Sequence, residues 1–216
     1  MTKRNHRGGG FSVAGMFCLY AWVLLLALHI VGTDADLYFR LQMKAEILPS
    51  AGITANELKA ADTALADYLR GDATALGSSP FNETEIAHMR DCYDLFALLR
   101  RVLTVLFGLA VFFLIVGRGR RICFAARVAA AVLLALIAGL AAWGIADFDS
   151  LFTAFHRLLF SNDLWLLDPK TDLLIRICPE SMFAEMAGIV GGIAAAFIGF
   201  SILMTSLGEK HYARKL

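Results

Sequence analysis

His88 and His156 are the residues best suited to chemistry in this chain. Each lies among apolar and aromatic side chains, a few residues from a long apolar run. An imidazole has an unperturbed pKa near 6.5, so it both takes and returns a proton near neutral pH. Asp91 follows His88 by three residues, which puts both on one face of a helix, where a carboxylate would hold the imidazole in one tautomer. Cys92 follows His88 by four residues and allows a Cys–His nucleophile pair. His88 and His156 with Asp91 or Asp168 offer donors for zinc, although no metal-ligand spacing supports that site. Arg100 and Arg101 open an apolar run, where each costs up to about 2.5–3.5 kcal/mol toward mid-bilayer. They either snorkel to headgroups or donate to a phosphate or developing oxyanion. His29, near the end of an apolar run, reads as an interfacial residue. His6 and His211 lie in basic ends and read as solvated. The sequence holds no GxSxG, HExxH, P-loop or GxGxxG.

The elements that must position these residues follow from composition. The 216 residues are 58% hydrophobic and only 18% charged, with a net charge of +1. That excludes a disordered chain, a coiled coil and a nucleic-acid binder relying on bulk charge. The four cysteines, Cys18, Cys92, Cys123 and Cys178, form no CxxC. Four runs are long enough for spanning helices, which need about 20 apolar residues: 11–32, 95–117, 128–146 and 186–207. Helices are the expected form, since lipid leaves backbone groups no partner outside a helix or closed barrel. Lys3, Arg4 and Arg7 precede the first run, Arg118, Arg120, Arg121 and Arg127 join the second to the third, and Lys210, Arg214 and Lys215 follow the fourth. Of 19 acidic residues only Glu209 lies among these segments. The pattern predicts cytoplasmic segments at 1–10, 118–127 and 208–216, with 33–94 and 147–185 outside. The first run exceeds the roughly 7–15 residues of a signal-peptide core and reads as an anchor.

The two outer segments are expected to fold. Thr54 with Glu57 makes a capping box, and Leu58, Ala61, Leu65, Tyr68 and Leu69 recur at helical spacing, predicting a helix over 54–70 that ends at Gly71. Asn82 with Glu85 predicts a second start, running unbroken into the second span. Segment 147–185 is too apolar for a solvated loop. It should lie on the membrane surface or pack against 33–94, with Trp165 as an interface anchor. Gly188, Gly192, Ala196 and Gly199 place small residues near one face of the fourth span, predicting close helix packing there. The expected fold is an all-α membrane protein of four transmembrane helices with an extracytoplasmic cap formed by the two outer connections.

Two runs carry a resemblance. Phe-Asn-Glu-Thr-Glu-Ile-Ala-His-Met-Arg-Asp spans 81–91. Phe-His-Arg-Leu-Leu-Phe-Ser-Asn-Asp-Leu-Trp-Leu-Leu-Asp-Pro spans 155–169 and is followed by Asp-Leu-Leu-Ile-Arg-Ile-Cys-Pro-Glu-Ser-Met-Phe at 172–183. With the span pattern and the Asp67-Tyr68-Leu69 helix, these resemble the bacterial four-span integral membrane family that includes the lipoprotein intramolecular transacylase. The resemblance implies an acyltransferase of the bacterial cytoplasmic membrane acting on diacylated lipoproteins. The sn-2 acyl chain of the S-diacylglyceryl group would move to the α-amino group of the N-terminal cysteine, giving the lyso-form. It implies His88 and His156 as the catalytic pair.

The residues suit that chemistry. Nucleophile and ester belong to one substrate, so no enzyme nucleophile and no cofactor is required, and the barrier is largely one of arrangement. Phe152, Phe155, Phe160 and Trp165 can clamp the reacting groups. The expected roles are His88 as base and His156 as acid or oxyanion donor, with Asn162, Asp168 and Arg100 for orientation and charge stabilisation. Lipoprotein and membrane lipid are the expected partners. Three other readings compete: a non-catalytic assembly or docking protein, a metal-dependent lipid hydrolase, and a transporter. The last is disfavoured because the spans hold almost no ionisable residues beyond Arg100 and Arg101. Imidazoles more than about 10 Å apart with no pocket between them would remove the basis of the enzyme reading.

Overall fold

The computed structural model describes residues 7–77, 80–117 and 121–213, with only the backbone at 7, 8 and 209–213. Lys3, Arg4, His6, Arg118, Arg120, Arg214 and Lys215 lie outside the described residues, as do the side chains of Arg7, Glu209, Lys210 and His211. The described residues form helices and connections: α1 Arg7–Val31, α2 Ala35–Lys44, α3 Leu48–Ala51, α4 Ala55–Arg70, α5 Glu83–Gly117, α6 Ile122–Ala146, α7 Phe148–Leu159, α8 Leu173–Ile177 and α9 Glu180–Ala213. Helices α1, α5, α6 and α9 are long and apolar enough to cross a membrane. The protein is therefore an all-α membrane protein with four spans. At 35 residues, α5 is about 52 Å long, against a hydrocarbon core of about 30 Å.

The chain divides into two compact units. The first comprises residues 1–27, 101–140 and 190–216. Its core joins Met16 and Tyr20 of α1, Ala125, Ala126, Ala129 and Ala130 of α6, and Ile198 of α9. Small side chains on α6 admit the large ones. Gly117 belongs to the same packing: a Cβ there would meet Ser12 Oγ at 2.5 Å and Ser12 N at 2.9 Å. The small residues of α9 do not behave as expected. Gly188, Gly192, Ala196 and Gly199 are exposed, and a Cβ at any of the three glycines would meet nothing within 4 Å. The buried stripe of α9 is Met186, Val190, Ala194 and Ile198. Of these, Ile198 packs with the alanines of α6, while the glycines of the small stripe meet none of the described residues.

The second unit comprises residues 28–100 and 141–189. The expected helix over 54–70 forms as α4. Thr54 Oγ1 accepts from Glu57 N, and Glu57 returns a bond to Thr54 N, so the capping box is complete. Its apolar residues Leu58, Ala61, Leu65, Tyr68 and Leu69 build the unit's core with Phe81, Met89 and the α8 residues Leu173, Leu174 and Ile177. Residues 173–178 of the second connection thus pack against the first. By contrast, α7 leaves Phe155, Leu158 and Leu159 exposed. The continuous helix expected from Asn82 into the second span is α5. Asn82 Oδ1 accepts from Glu85 N at 3.0 Å, and Glu85 Oε2 accepts from Asn82 N at 2.7 Å. Glu85 is 1% exposed, and its other oxygen accepts from Leu174 N at the start of α8. One carboxylate therefore caps two helices from distant parts of the chain.

Candidate active site

His88 stands on the second turn of α5 and His156 on the last turn of α7. Asp147 separates α6 from α7 by one residue and caps the latter, accepting from Ser150 N at 3.0 Å. The counts from the two caps bring His88 and His156 together, with ring centroids 6.2 Å apart. They are 7% and 9% exposed. The separation lies well inside the limit beyond which a proton relay loses its basis.

Each imidazole has a distinct partner. His156 Nδ1 lies 2.8 Å from Phe152 O, one turn back on α7. A carbonyl only accepts, so Nδ1 carries the hydrogen, and in the neutral ring Nε2 keeps a lone pair. Burial holds His156 below the ordinary imidazole range, partly offset by that backbone bond. His88 Nε2 lies 3.6 Å from Cys92 Sγ, and its Nδ1 is buried with no partner among the described residues. An orphaned polar atom in such a place is where a substrate group would bond.

Aromatic rings wall the pair. Phe160 stands edge-on to His88 at 5.2 Å and lies 5.7 Å from His156. Trp165 stacks on His156 at 5.0 Å with 30° between planes. Phe152 and Phe155 flank His156 at 4.1 and 5.7 Å, and Phe183 of α9 closes on Phe152 at 5.5 Å. Beside Phe160 opens a groove of about 280 Å³, apolar at Leu95, Leu98 and Leu159 and polar at Asp91, Asp94, Ser161 and Asn162.

The remaining candidates take other places. Asp91 does not hold His88; its Oδ2 accepts from Asn162 Nδ2 at 2.8 Å. Asn162 Oδ1 also accepts from Leu164 N at 3.1 Å, fixing the turn after α7. Asp168 Oδ1 accepts from Lys170 N, while Asp168 N donates to Asp172 Oδ2, so Asp168 shapes the loop before α8. Burial alone would raise Asp172, but hydrogen bonds from Asp168 N, Thr171 and Asn82, with the Arg176 charge, hold it below the usual carboxylate range. Arg100 Nη1 donates to Leu69 O at 2.7 Å, and its guanidinium lies over the Tyr93 ring at 5.8 Å. It thereby closes the C-terminus of α4, where Gly71 turns at φ 89° and leaves room, since a Cβ would stand 3.1 Å from Arg100 Nη2. Burial pushes the Cys178 thiol far above its ordinary range. Among the described residues no three His, Cys, Asp or Glu side chains converge as a metal site.

Sequence reasoning missed the Phe152 carbonyl, whose only signal is that a helical histidine can reach back one turn, and the joint role of Glu85.

Comparison with known proteins places this geometry. The profile of the family described as lipoprotein intramolecular transacylase Lit matches residues 13–183. Among solved structures, the chain is similar to the membrane-integral lipoprotein intramolecular transacylase Lit from Bacillus cereus. The TM-score is 0.83 at 22% identity, over 98% of this chain and 99% of that one. A form of the same protein with one histidine replaced by arginine superposes with a TM-score of 0.79 at 22% identity, over 98% and 95%. At this identity the likeness is one of fold. No curated protein sequence matches the chain.

Proposed function

The chain belongs to the lipoprotein intramolecular transacylase family, and from that premise we infer that it moves the sn-2 acyl chain of an S-diacylglyceryl lipoprotein onto the α-amino group of its own N-terminal cysteine. The observation that carries the reading is a pair of buried imidazoles, 6.2 Å apart, inside an aromatic wall.

The site has to move protons and hold one molecule folded on itself. Confining amine and ester in contact supplies up to about 7–11 kcal/mol in favourable cases. The α-ammonium has a pKa near 7.7–8.0, about 1.2–1.5 units above an ordinary imidazole, so its transfer to a neutral ring costs roughly 2 kcal/mol before burial adds to it. We assign that base to His156 Nε2, the nitrogen left free when Nδ1 donates to Phe152 O. Protonating both rings at 6.2 Å separation would cost about 2–3 kcal/mol at an effective dielectric near 20, so the pair works with one charge between them. His88 Nδ1 then serves as hydrogen-bond donor to the oxyanion, while His156 Nε2, neutral again once its first proton has passed to solvent, takes the second proton from nitrogen and hands it to the leaving glycerol oxygen. This order is the reverse of the one expected from the sequence. The amine nitrogen attacks the sn-2 carbonyl carbon, and the bond from that carbon to the glycerol oxygen breaks. One ammonium proton ends in solvent. The second, lost from nitrogen as the amide forms, ends on the glycerol hydroxyl.

The arrangement of Lys and Arg along the chain supports cytoplasmic termini and a histidine pair on the extracytoplasmic side. There the acyl chains of a lipoprotein lie in the bilayer and its amine at the surface. The test is to express the chain in a bacterium lacking other N-acylation and read lipoprotein N-termini by mass spectrometry. N-acylated, S-monoacylglyceryl peptides are expected with the parent, and a drop of about a hundredfold or more with His88→Ala or His156→Ala. Undiminished lyso-form from either variant refutes the assignment.

A further inference from the structure

The two histidines stand on different helices, α5 and α7, and the wall that encloses them comes from neither alone. Phe160 and Trp165 lie in the turn after α7, between Phe160, the C-cap of α7, and Leu167. Nothing in helix geometry fixes such a turn. Backbone bonds from Leu166 N to Asp163 O at 3.1 Å and from Leu167 N to Trp165 O at 3.0 Å shape it, and one side chain ties it to α5: Asn162 donates through Nδ2 to Asp91 Oδ2 at 2.8 Å and accepts through Oδ1 from Leu164 N at 3.1 Å. Asp91 lies three residues beyond His88 on the same helix. The bond therefore ties the turn bearing Phe160 and Trp165 to the helix bearing His88.

We propose that Asn162 is a positioning residue, whose hydrogen bond to Asp91 clasps the turn after α7 to α5 and so sets Phe160 against His88 and Trp165 on His156. The inference deepens the transacylase reading and rests on it for its kinetic consequence, though not for its geometry. The clasp is exposed to solvent, so its net worth to folding is small, about 0.5–1.5 kcal/mol at most. Its effect lies in placement: a shift of about 1 Å in groups that hold a reacting pair costs up to about a hundredfold in rate.

Three variants separate the clasp from a charge effect of Asp91. Asn162→Ala removes the donor. Asp91→Asn keeps an acceptor at that position and removes the charge. Asp91→Asn with Asn162→Asp exchanges donor and acceptor and restores one amide–carboxylate bond. Two readouts are taken: lyso-form production, and Trp165 fluorescence in a Trp22→Phe/Trp143→Phe background. Protonation of His156, stacked on Trp165, quenches that emission in a pH-dependent way without any substrate. Asn162→Ala is expected to lose the pH-dependent quench and about tenfold to a hundredfold of kcat, with its melting temperature nearly unchanged. Asp91→Asn and the exchanged pair are expected to keep both within about threefold. A preserved quench in Asn162→Ala, or an Asp91→Asn variant as impaired as Asn162→Ala, overturns the proposal. If the quench follows the clasp while even the parent makes no lyso-form, the transacylase reading fails and the positioning role stands.

Discussion

At the scale of single residues, the division of labour turns on one carbonyl. Phe152 O takes the hydrogen of His156 Nδ1 and leaves Nε2 as the acceptor, while burial holds the ring below the ordinary value of 6.5. A base with a lowered pKa is neutral, and so competent, at neutral pH; it is lost only as pH falls through its own midpoint. Nitrogen-15 NMR of the protein in nanodiscs should therefore show His156 as the Nδ1–H tautomer, titrating below pH 6.5. The Nε2–H tautomer, or a midpoint above 6.5, would contradict the role. That the two histidines stand together was legible from their residue types and surroundings. The tautomer of His156 was not, because the deciding partner is a backbone atom and any residue at 152 would supply it. Asp91 shows the converse: its spacing from His88 suggested a partner for the ring, yet the nearer claim on its carboxylate is Asn162, 71 positions away.

At the scale of elements, caps decide where the functional side chains fall. Thr54 with Glu57 and Asn82 with Glu85 were legible because a capping box is a local pattern. The second half of Glu85's role was not, since Leu174 N is 89 positions distant. Replacing Glu85 by alanine strands the buried N–H of Leu174 and removes the cap on the part-buried N–H of Asn82, and is expected to cost about 1.5–4 kcal/mol of stability, measured by denaturant unfolding in detergent. A loss below about 1 kcal/mol would show that the two helix starts do not share this cap. Arg100 illustrates why a cation at a span's edge resists interpretation from sequence. Its guanidinium serves the C-terminus of α4 through Leu69 O, a use with no signature beyond a glycine at 71.

At the scale of the whole molecule, the four spans were legible from composition, whereas the packing face of α9 was not. Hydropathy reports that a helix meets lipid or protein; it does not report which neighbour already provides the small residues. The second unit also carries a buried acid. Asp62 is fully buried, Gln42 Nε2 donates to its Oδ1 at 2.9 Å, and Asp62 Oδ2 and Gln42 Oε1 have no partners among the described residues. Burial lifts the carboxyl to about 6, against the lowering effect of the Gln42 bond. A raised folded pKa means that Asp62 favours the folded state fully below its unfolded value of 3.8 and loses that contribution as pH rises through about 6. Asp62→Asn cannot ionise and brings a donor to the same cluster. Its melting temperature should exceed the parent's by an amount that grows from about pH 4 to about pH 6 and levels off above that; a pH-independent difference would show that Asp62 does not titrate there. One last consequence comes from the single-residue joint at Asp147. From that cap the chain counts nine positions to the imidazole along α7, and each position turns by about 100°. One residue inserted in between would deliver Phe155 to the buried slot and carry the imidazole to the solvent-facing azimuth now held by Arg157. The distance between His156 and its cap is thus a fixed ruler, so a length change tolerable in a surface loop would here part the two imidazoles while leaving the helix intact.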